Sequence, residues 1–243
     1  MKKIMTVLLG TACLFALTAC AGKDGDTLVM ATNAEFQPYE YHEGDKIIGI
    51  DVEIAQAIAD DLGMELQIED MAFDSIIAAV QSGKADIGLA GLTVDEDRLV
   101  NVNFSDPYTQ SAQVIIVNEG SEIAGPDDLT EKSIGVQLGT TGDFYASDIE
   151  GAVIERYNKG FEAIQALMQN KIDAVIIDRE PAKVFVSQGE GLVFLDEAFT
   201  IEDYAIAVAK DNTELLDKIN ASLAKLQESG KLQEIIDKYI TTE

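Results

Sequence analysis

The stretch Leu89-Ala90-Gly91-Leu92-Thr93-Val94-Asp95-Glu96-Asp97-Arg98 carries residue types suited to holding a small carboxylate. An apolar strand expected over residues 86–90 ends in small residues, and Gly91 lets another group approach the backbone. Thr93 can cap the following helix while offering a hydroxyl. Backbone amides at a helix start attract an anion, and Arg98 can add a bidentate fork. The same residues also fit a plain surface helix, with Thr93 as its N-cap and Arg98 paired to Asp95 or Asp97. Asp178 suits the opposite charge. It follows the apolar run Ala174-Val175-Ile176-Ile177, so its carboxylate sits where a buried strand emerges and can hold a cation. Its other reading is as cap of a helix beginning near Glu180, ahead of Pro181.

Phe36 and Phe73 each lie in a loop after an expected strand, where they can sandwich a side chain or simply pack into the core. Gly139-Thr140-Thr141-Gly142 has the small, hydroxyl-bearing composition of a loop that cradles an oxyanion; it lacks a P-loop lysine and also fits an ordinary turn. The single histidine, His42, stands in the acidic stretch 41–45 and reads as a solvated loop residue. There is no HExxH, no GxSxG and no metal-spaced Cys/His cluster, so no cofactor or metal is expected.

The elements positioning these residues alternate along the chain. Strands are expected at 28–32, 65–70, 86–90, 114–117, 133–137, 153–157, 174–177 and 192–195. Helices are expected at 51–62 and 73–82, around Arg98, and from near Thr141, Phe161 and Glu180; two more, at 213–228 and 231–240, close the chain. Such alternation marks an α/β architecture with largely parallel sheets. The sequence also echoes itself: Gln81-Ser82-Gly83-Lys84-Ala85-Asp86-Ile87 and Met168-Gln169-Asn170-Lys171-Ile172-Asp173-Ala174 both read as helix end, turn, lysine, apolar residue and strand-opening aspartate. Five residues beyond each aspartate stand Gly91 and Asp178. In two similarly built lobes both would lie at carboxyl ends of strands, where open α/β sheets bind ligands.

The N-terminus reads as a secretory signal over residues 1–19, with Lys2 and Lys3 preceding an apolar run shorter than the ~20 residues of a membrane span. Leu17-Thr18-Ala19-Cys20 looks like a bacterial lipobox. It implies cleavage before Cys20, lipidation of that residue, and a tether over residues 20–26 holding the body against the membrane. Cys13 leaves with the signal, so no disulfide is expected. Loss of the two lysines takes the net charge from −27 to −29, which makes nucleic acid and anionic lipid faces poor partners.

Gly49-Ile50-Asp51-Val52-Glu53-Ile54, Ala90-Gly91-Leu92-Thr93 with Arg98, Phe104-Ser105-Asp106-Pro107-Tyr108 and Asp173-Ala174-Val175-Ile176-Ile177-Asp178 occur in an order that resembles the bacterial extracellular solute-binding proteins of polar amino-acid uptake systems, family 3. The resemblance implies a two-lobed, periplasmic-binding-protein-like type II α/β fold, each lobe a mainly parallel sheet flanked by helices, with a hinged cleft. Lobe 1 would comprise 27–108 and 205–243, lobe 2 113–199, and the crossings 109–112 and 200–204. It further implies an extracytoplasmic, lipid-anchored, monomeric component of an ABC importer, without catalysis, that closes on one L-amino acid and presents it to the permease subunits.

Residue by residue, Arg98, Thr93, Thr140 and Thr141 would take the α-carboxylate, and Asp178, Thr93 and the Gly91 carbonyl, beside Ala90, the α-ammonium. Phe36 and Phe73 would stack on the side chain. Asn33 stands where relatives that bind lysine or arginine tend to carry an acid, and Gln137 where some relatives have lysine. Glu35, two residues from Asn33, can restore a cationic preference if it faces inward. A neutral polar ligand, glutamine first, is therefore expected. The alternatives are a cationic or cystine-like amino acid, and a dehydratase of the same fold.

Overall fold

The protein is described here from a computed structural model that covers residues 27–240. The signal, the tether and Cys20 lie outside the described residues. Two sheets organise the chain. The first has the strand order Glu65–Asp70, Thr27–Thr32, Ile87–Gly88, Ala207–Ala209, Val102–Phe104. The second runs Val153–Tyr157, Ser133–Gln137, Ala174–Asp178, Thr109–Asn118, Leu192–Phe194, with Thr200–Tyr204 also paired to Thr109–Asn118. The expected parallel character holds for three neighbouring strands in each sheet. The remaining strands pair antiparallel, so both sheets are mixed rather than mainly parallel.

Alternation along the buried strands gives each sheet two apolar faces, as a helix-covered sheet requires. Leu28 and Met30 point to one side of the first sheet, among Ile54, Ile58, Ile219 and Leu223; Val29 and Ala31 point to the other, among Ile76, Val80 and Val102. In the second sheet Val175 and Ile177 join Ile164 and Leu167, while Ala174 and Ile176 join Ile134 and Val136. The helices present matching stripes. Ile50, Ile54 and Ile58 of Ile50–Leu62 are fully buried, and Leu232 and Ile235 of Lys231–Tyr239 pack on the same cluster.

The internal echo is structural. Asp86 donates its amide to Val29 O and accepts from Val29 N, each across to the first strand of its sheet. Asp173 repeats both bonds with Ser133.

Several elements differ from expectation. The helix expected at 73–82 is a 3-10 turn, Phe73–Ser75, leading into Ile76–Gln81. A three-stranded hairpin sheet over Glu35–Phe36, Glu40–Glu43 and Lys46–Ile48 was not anticipated, because polar residues and turn residues dominate it. The two crossing segments are paired strands, with Thr109 opposite Tyr204 and Gln113 opposite Thr200. Side by side, they satisfy each other's backbone donors and acceptors as the chain passes between sheets.

Candidate ligand-binding site

Arg98 belongs to the helix Glu96–Asn101, whose N-cap is Asp95: its Oδ1 accepts from the Arg98 amide at 2.8 Å. Thr93 is therefore not the cap. Its hydroxyl donates to Glu202 Oε2 at 2.9 Å. The Arg98 side chain turns inward, 6% exposed, with Nε 3.0 Å from Asp95 Oδ2. Nη1 donates to Thr93 O at 2.8 Å and Nη2 to Gly139 O at 3.1 Å. The guanidinium sits 5.4 Å from the Phe73 ring centroid, within cation–π reach. Pairing with Asp95 thus coexists with a place on the cavity wall.

Asp178 ends the strand Ala174–Asp178 and precedes the helix Arg179–Gln188, yet its side chain caps nothing. It accepts from Gln113 Nε2 at 2.9 Å and from the Tyr204 hydroxyl. Burial, followed by the nearby Glu202 charge, raises its pKa to about 7. Burial likewise raises Tyr204 well above its usual range, so its phenol stays a donor.

Gly91 adopts a left-handed φ of +54°, and a Cβ there would lie 2.8 Å from Phe36 and 3.1 Å from Tyr204. Only glycine fits both the backbone and the space. Across the cleft, Thr140 caps the helix Thr141–Ser147 and donates its hydroxyl to Gln137 O at 2.8 Å. Thr141 accepts from Gln113 Nε2 at 3.3 Å. Gln137 Nε2 donates to Asn33 Oδ1 at 2.9 Å, and Asn33 Nδ2 to Met71 O at 2.8 Å. Together with Arg98 and Gly139, this amide bridge joins the two halves directly, so the cleft is closed.

These residues line one narrow cavity between the two sheets, with room for about one water molecule. Asn33, Phe36, Phe73, Gly91, Thr93 and Arg98 line it from one side and Gln137, Thr140, Thr141 and Asp178 from the other. Ala90 does not. It is buried with Ile76, Val80 and Ala207 in the core beneath Gly91. Glu35 lies outside the cavity, on a separate surface groove, and pairs with Lys159 across the cleft. His42 is half exposed, on the strand Glu40–Glu43 rather than in a loop, 3.0 Å from Asp70 Oδ2.

Sequence reasoning missed the layer behind the cavity. Gln113 and Glu202, on the two crossing strands, are both buried, and Gln113 Nε2 reaches Glu202 Oε2 at 3.0 Å. No sequence signal marked them: on Thr200–Tyr204 the apolar Ile201 is exposed while Glu202 and Tyr204 are buried. Asp51, fully buried, accepts from the Gly91 amide at 2.8 Å and from the Tyr108 hydroxyl at 2.9 Å.

A two-lobed α/β protein with a closed, charge-bearing cavity between its sheets belongs to the class of solute-binding proteins. Residues 28–242 match the model of the bacterial extracellular solute-binding proteins, family 3, and the chain belongs to that family. Over full length on both sides it is 34% identical to the arginine-binding extracellular protein ArtP of Bacillus subtilis. An ancestral arginine-binding protein, solved bound to arginine, superposes with a TM-score of 0.85 at 37% identity, covering 88% of this chain and 98% of that one. An ancestral arginine-binding protein solved bound to glutamine gives 0.83 at 37% identity, covering 89% of this chain and 99% of that one.

Proposed function

We propose that this chain is the extracytoplasmic binding component of an amino-acid ABC importer, acting as a monomer, and that its two lobes close on one L-amino acid between them. The observation carrying this reading is that Arg98 and Asp178 line one cavity from opposite sides. A zwitterion neutralises both walls at once: its carboxylate meets Arg98 with Thr93, Thr140 and Thr141, and its ammonium meets Asp178 and the Gly91 carbonyl. Enclosure strengthens each contact by excluding water. Phe36 and Phe73 take the side chain.

The lobes are 27–108 with 205–243, and 113–199, turning about 109–112 and 200–204. Cleavage before Cys20 and its lipidation anchor the protein at the outer face of the cell membrane, where the closed form meets the permease. The relatives named above bind their ligands, and nothing in the reading calls for catalysis or a cofactor; a dehydratase of this fold is the minor alternative.

Glutamine is the first candidate ligand. Asn33 and Gln137 offer amide donors and acceptors in the cavity, and Glu35 is occupied by Lys159. Arginine is the second. It is favoured by the arginine-binding relatives. A cystine-like ligand is a third arm of the test. A thermal-shift screen of the purified protein against the common L-amino acids and cystine decides among them. A ligand at 100 times its dissociation constant adds about 2.7 kcal/mol. A shift with none of them contradicts the reading.

A further inference from the structure

Glu40 is fully buried, and neither of its carboxylate oxygens receives a hydrogen bond from any described donor. A buried carboxyl group without a donor is costly unless it keeps its own proton. Chain geometry sets Asp51 beside it. The Asp51 amide donates to Tyr39 O at 2.9 Å and the Ile50 amide to Pro38 O at 3.1 Å, pressing the start of the helix Ile50–Leu62 onto the strand that begins at Glu40. The approach is so close that a Cβ on Gly49 would fall 2.1 Å from Tyr39 O. Both carboxyl groups are fully buried on these facing segments, and two neighbouring buried negative charges oppose one another, which favours one retained proton.

That proton belongs to Glu40. Asp51 already accepts from the Gly91 amide and the Tyr108 hydroxyl, donors that favour its charged form, whereas Glu40 has none. The charged and titratable groups facing the pair are Asp178, Asp70 and the phenols of Tyr39 and Tyr108. The acids disfavour a second negative charge, and burial pushes Glu40 well above the usual carboxyl range.

We propose that Glu40 and Asp51 form a one-proton acid–carboxylate pair that positions Gly91 for the ligand: Glu40 donates to Asp51, and Asp51 fixes the Gly91 amide so that its carbonyl faces the cavity. Asp51 also holds Tyr108, the residue before the crossing strand Thr109–Asn118, so one carboxylate ties the ammonium seat to the crossing. Asp51 is a positioning residue and touches no ligand itself. The ligand-related half of this inference rests on the amino-acid reading above.

The test has two readouts on the full chain. The first needs no ligand: the Gly91 amide resonance is followed by NMR against pH in the parent and in Glu40→Gln. The pair predicts a step in the parent above the usual carboxyl range, as Glu40 loses its proton, and no such step in Glu40→Gln, whose amide donates without titrating. A parent resonance flat with pH, or the same step in both proteins, overturns the pair.

The second readout is the Kd for L-glutamine and L-arginine. Glu40→Ala and Asp51→Asn are each expected to weaken binding about tenfold or more near pH 7, and Glu40→Gln to restore what Glu40→Ala loses. The ratio of parent to Glu40→Gln Kd should rise with pH, and this ratio cancels titration of Asp178 and of the ligand. Asp51→Asn binding as the parent does, while Arg98→Ala loses affinity, overturns the positioning role alone. If neither amino acid binds the parent, the amino-acid reading fails and the Gly91 resonance still decides the pair.

Discussion

Asp178 and Glu202 share one donor: Gln113 Nε2 lies 2.9 Å from Asp178 Oδ2 and 3.0 Å from Glu202 Oε2. The neutral amide links the Asp178 strand to the crossing strand Thr200–Tyr204. It also holds two buried acids near one another, and the charge of Arg98 on the far wall acts on both. A ligand ammonium at Asp178 would relieve that arrangement.

The sign of the resulting pH dependence follows from Asp178. Its pKa in the unliganded fold is raised to about 7, so its contribution to stability is fully present below the ordinary aspartate value near 4 and is lost as pH rises through about 7. An ammonium ligand prefers the ionised carboxylate, so binding releases a proton. Affinity should therefore rise by up to about tenfold per pH unit from about pH 5 to 7 and level off above. Titration calorimetry in buffers of different ionisation enthalpy checks both the slope and the proton release; an affinity flat over that range contradicts this role for Asp178.

Asp178→Asn should separate stability from binding. The variant removes a buried charge while keeping an oxygen for Tyr204 or Gln113, so at pH 8 the unliganded protein should melt higher. For a chain of this size each kcal/mol is worth about 2–4 °C in Tm. Binding should fall, since a charge-assisted bond worth about 1.5–3 kcal/mol corresponds to about a 10- to 150-fold loss. Arg98→Ala should lose affinity similarly, without a gain in Tm, because it leaves Asp95 Oδ2, the Thr93 carbonyl and the Gly139 carbonyl without the guanidinium.

The amide bridge between Gln137 and Asn33, with the Lys159–Glu35 pair beside it, joins the lobes across the cleft. Gln137→Ala combined with Lys159→Ala should shift the unliganded protein toward an open form. Small-angle scattering would then show a larger radius of gyration without ligand and a return to the parent value on saturation. An unchanged radius in the double variant would place the closing energy elsewhere, in the Arg98–Gly139 contact or the crossing strands.

Much of this was legible in residue order. The strands 133–137 and 153–157 and the helix 213–228 fall where their residue patterns place them. Arg98 and Asp178 were readable because strand ends followed by turn residues mark where a side chain can emerge from a core. Ala90 was misassigned because adjacency to Gly91 says nothing about direction: successive side chains point opposite ways, and the methyl of Ala90 points into the core. Thr93 lost the cap to Asp95, two residues on, a competition between equally good caps that spacing alone does not decide. Glu40, Asp51, Gln113 and Glu202 were passed over since charged or amide side chains normally mark solvent. Only the long-range pairing of hairpin, helix and crossing strands buries them.

The central claim, that a backbone zwitterion is clamped between Arg98 and Asp178, is tested most directly by isothermal titration at pH 7.5 with L-glutamine and L-arginine. The same measurement uses analogues lacking the α-carboxylate or the α-ammonium. One ligand per chain is predicted for at least one of the two amino acids, with each analogue weaker by about tenfold or more. No binding of either amino acid, or an analogue that binds as tightly as its parent, would contradict it.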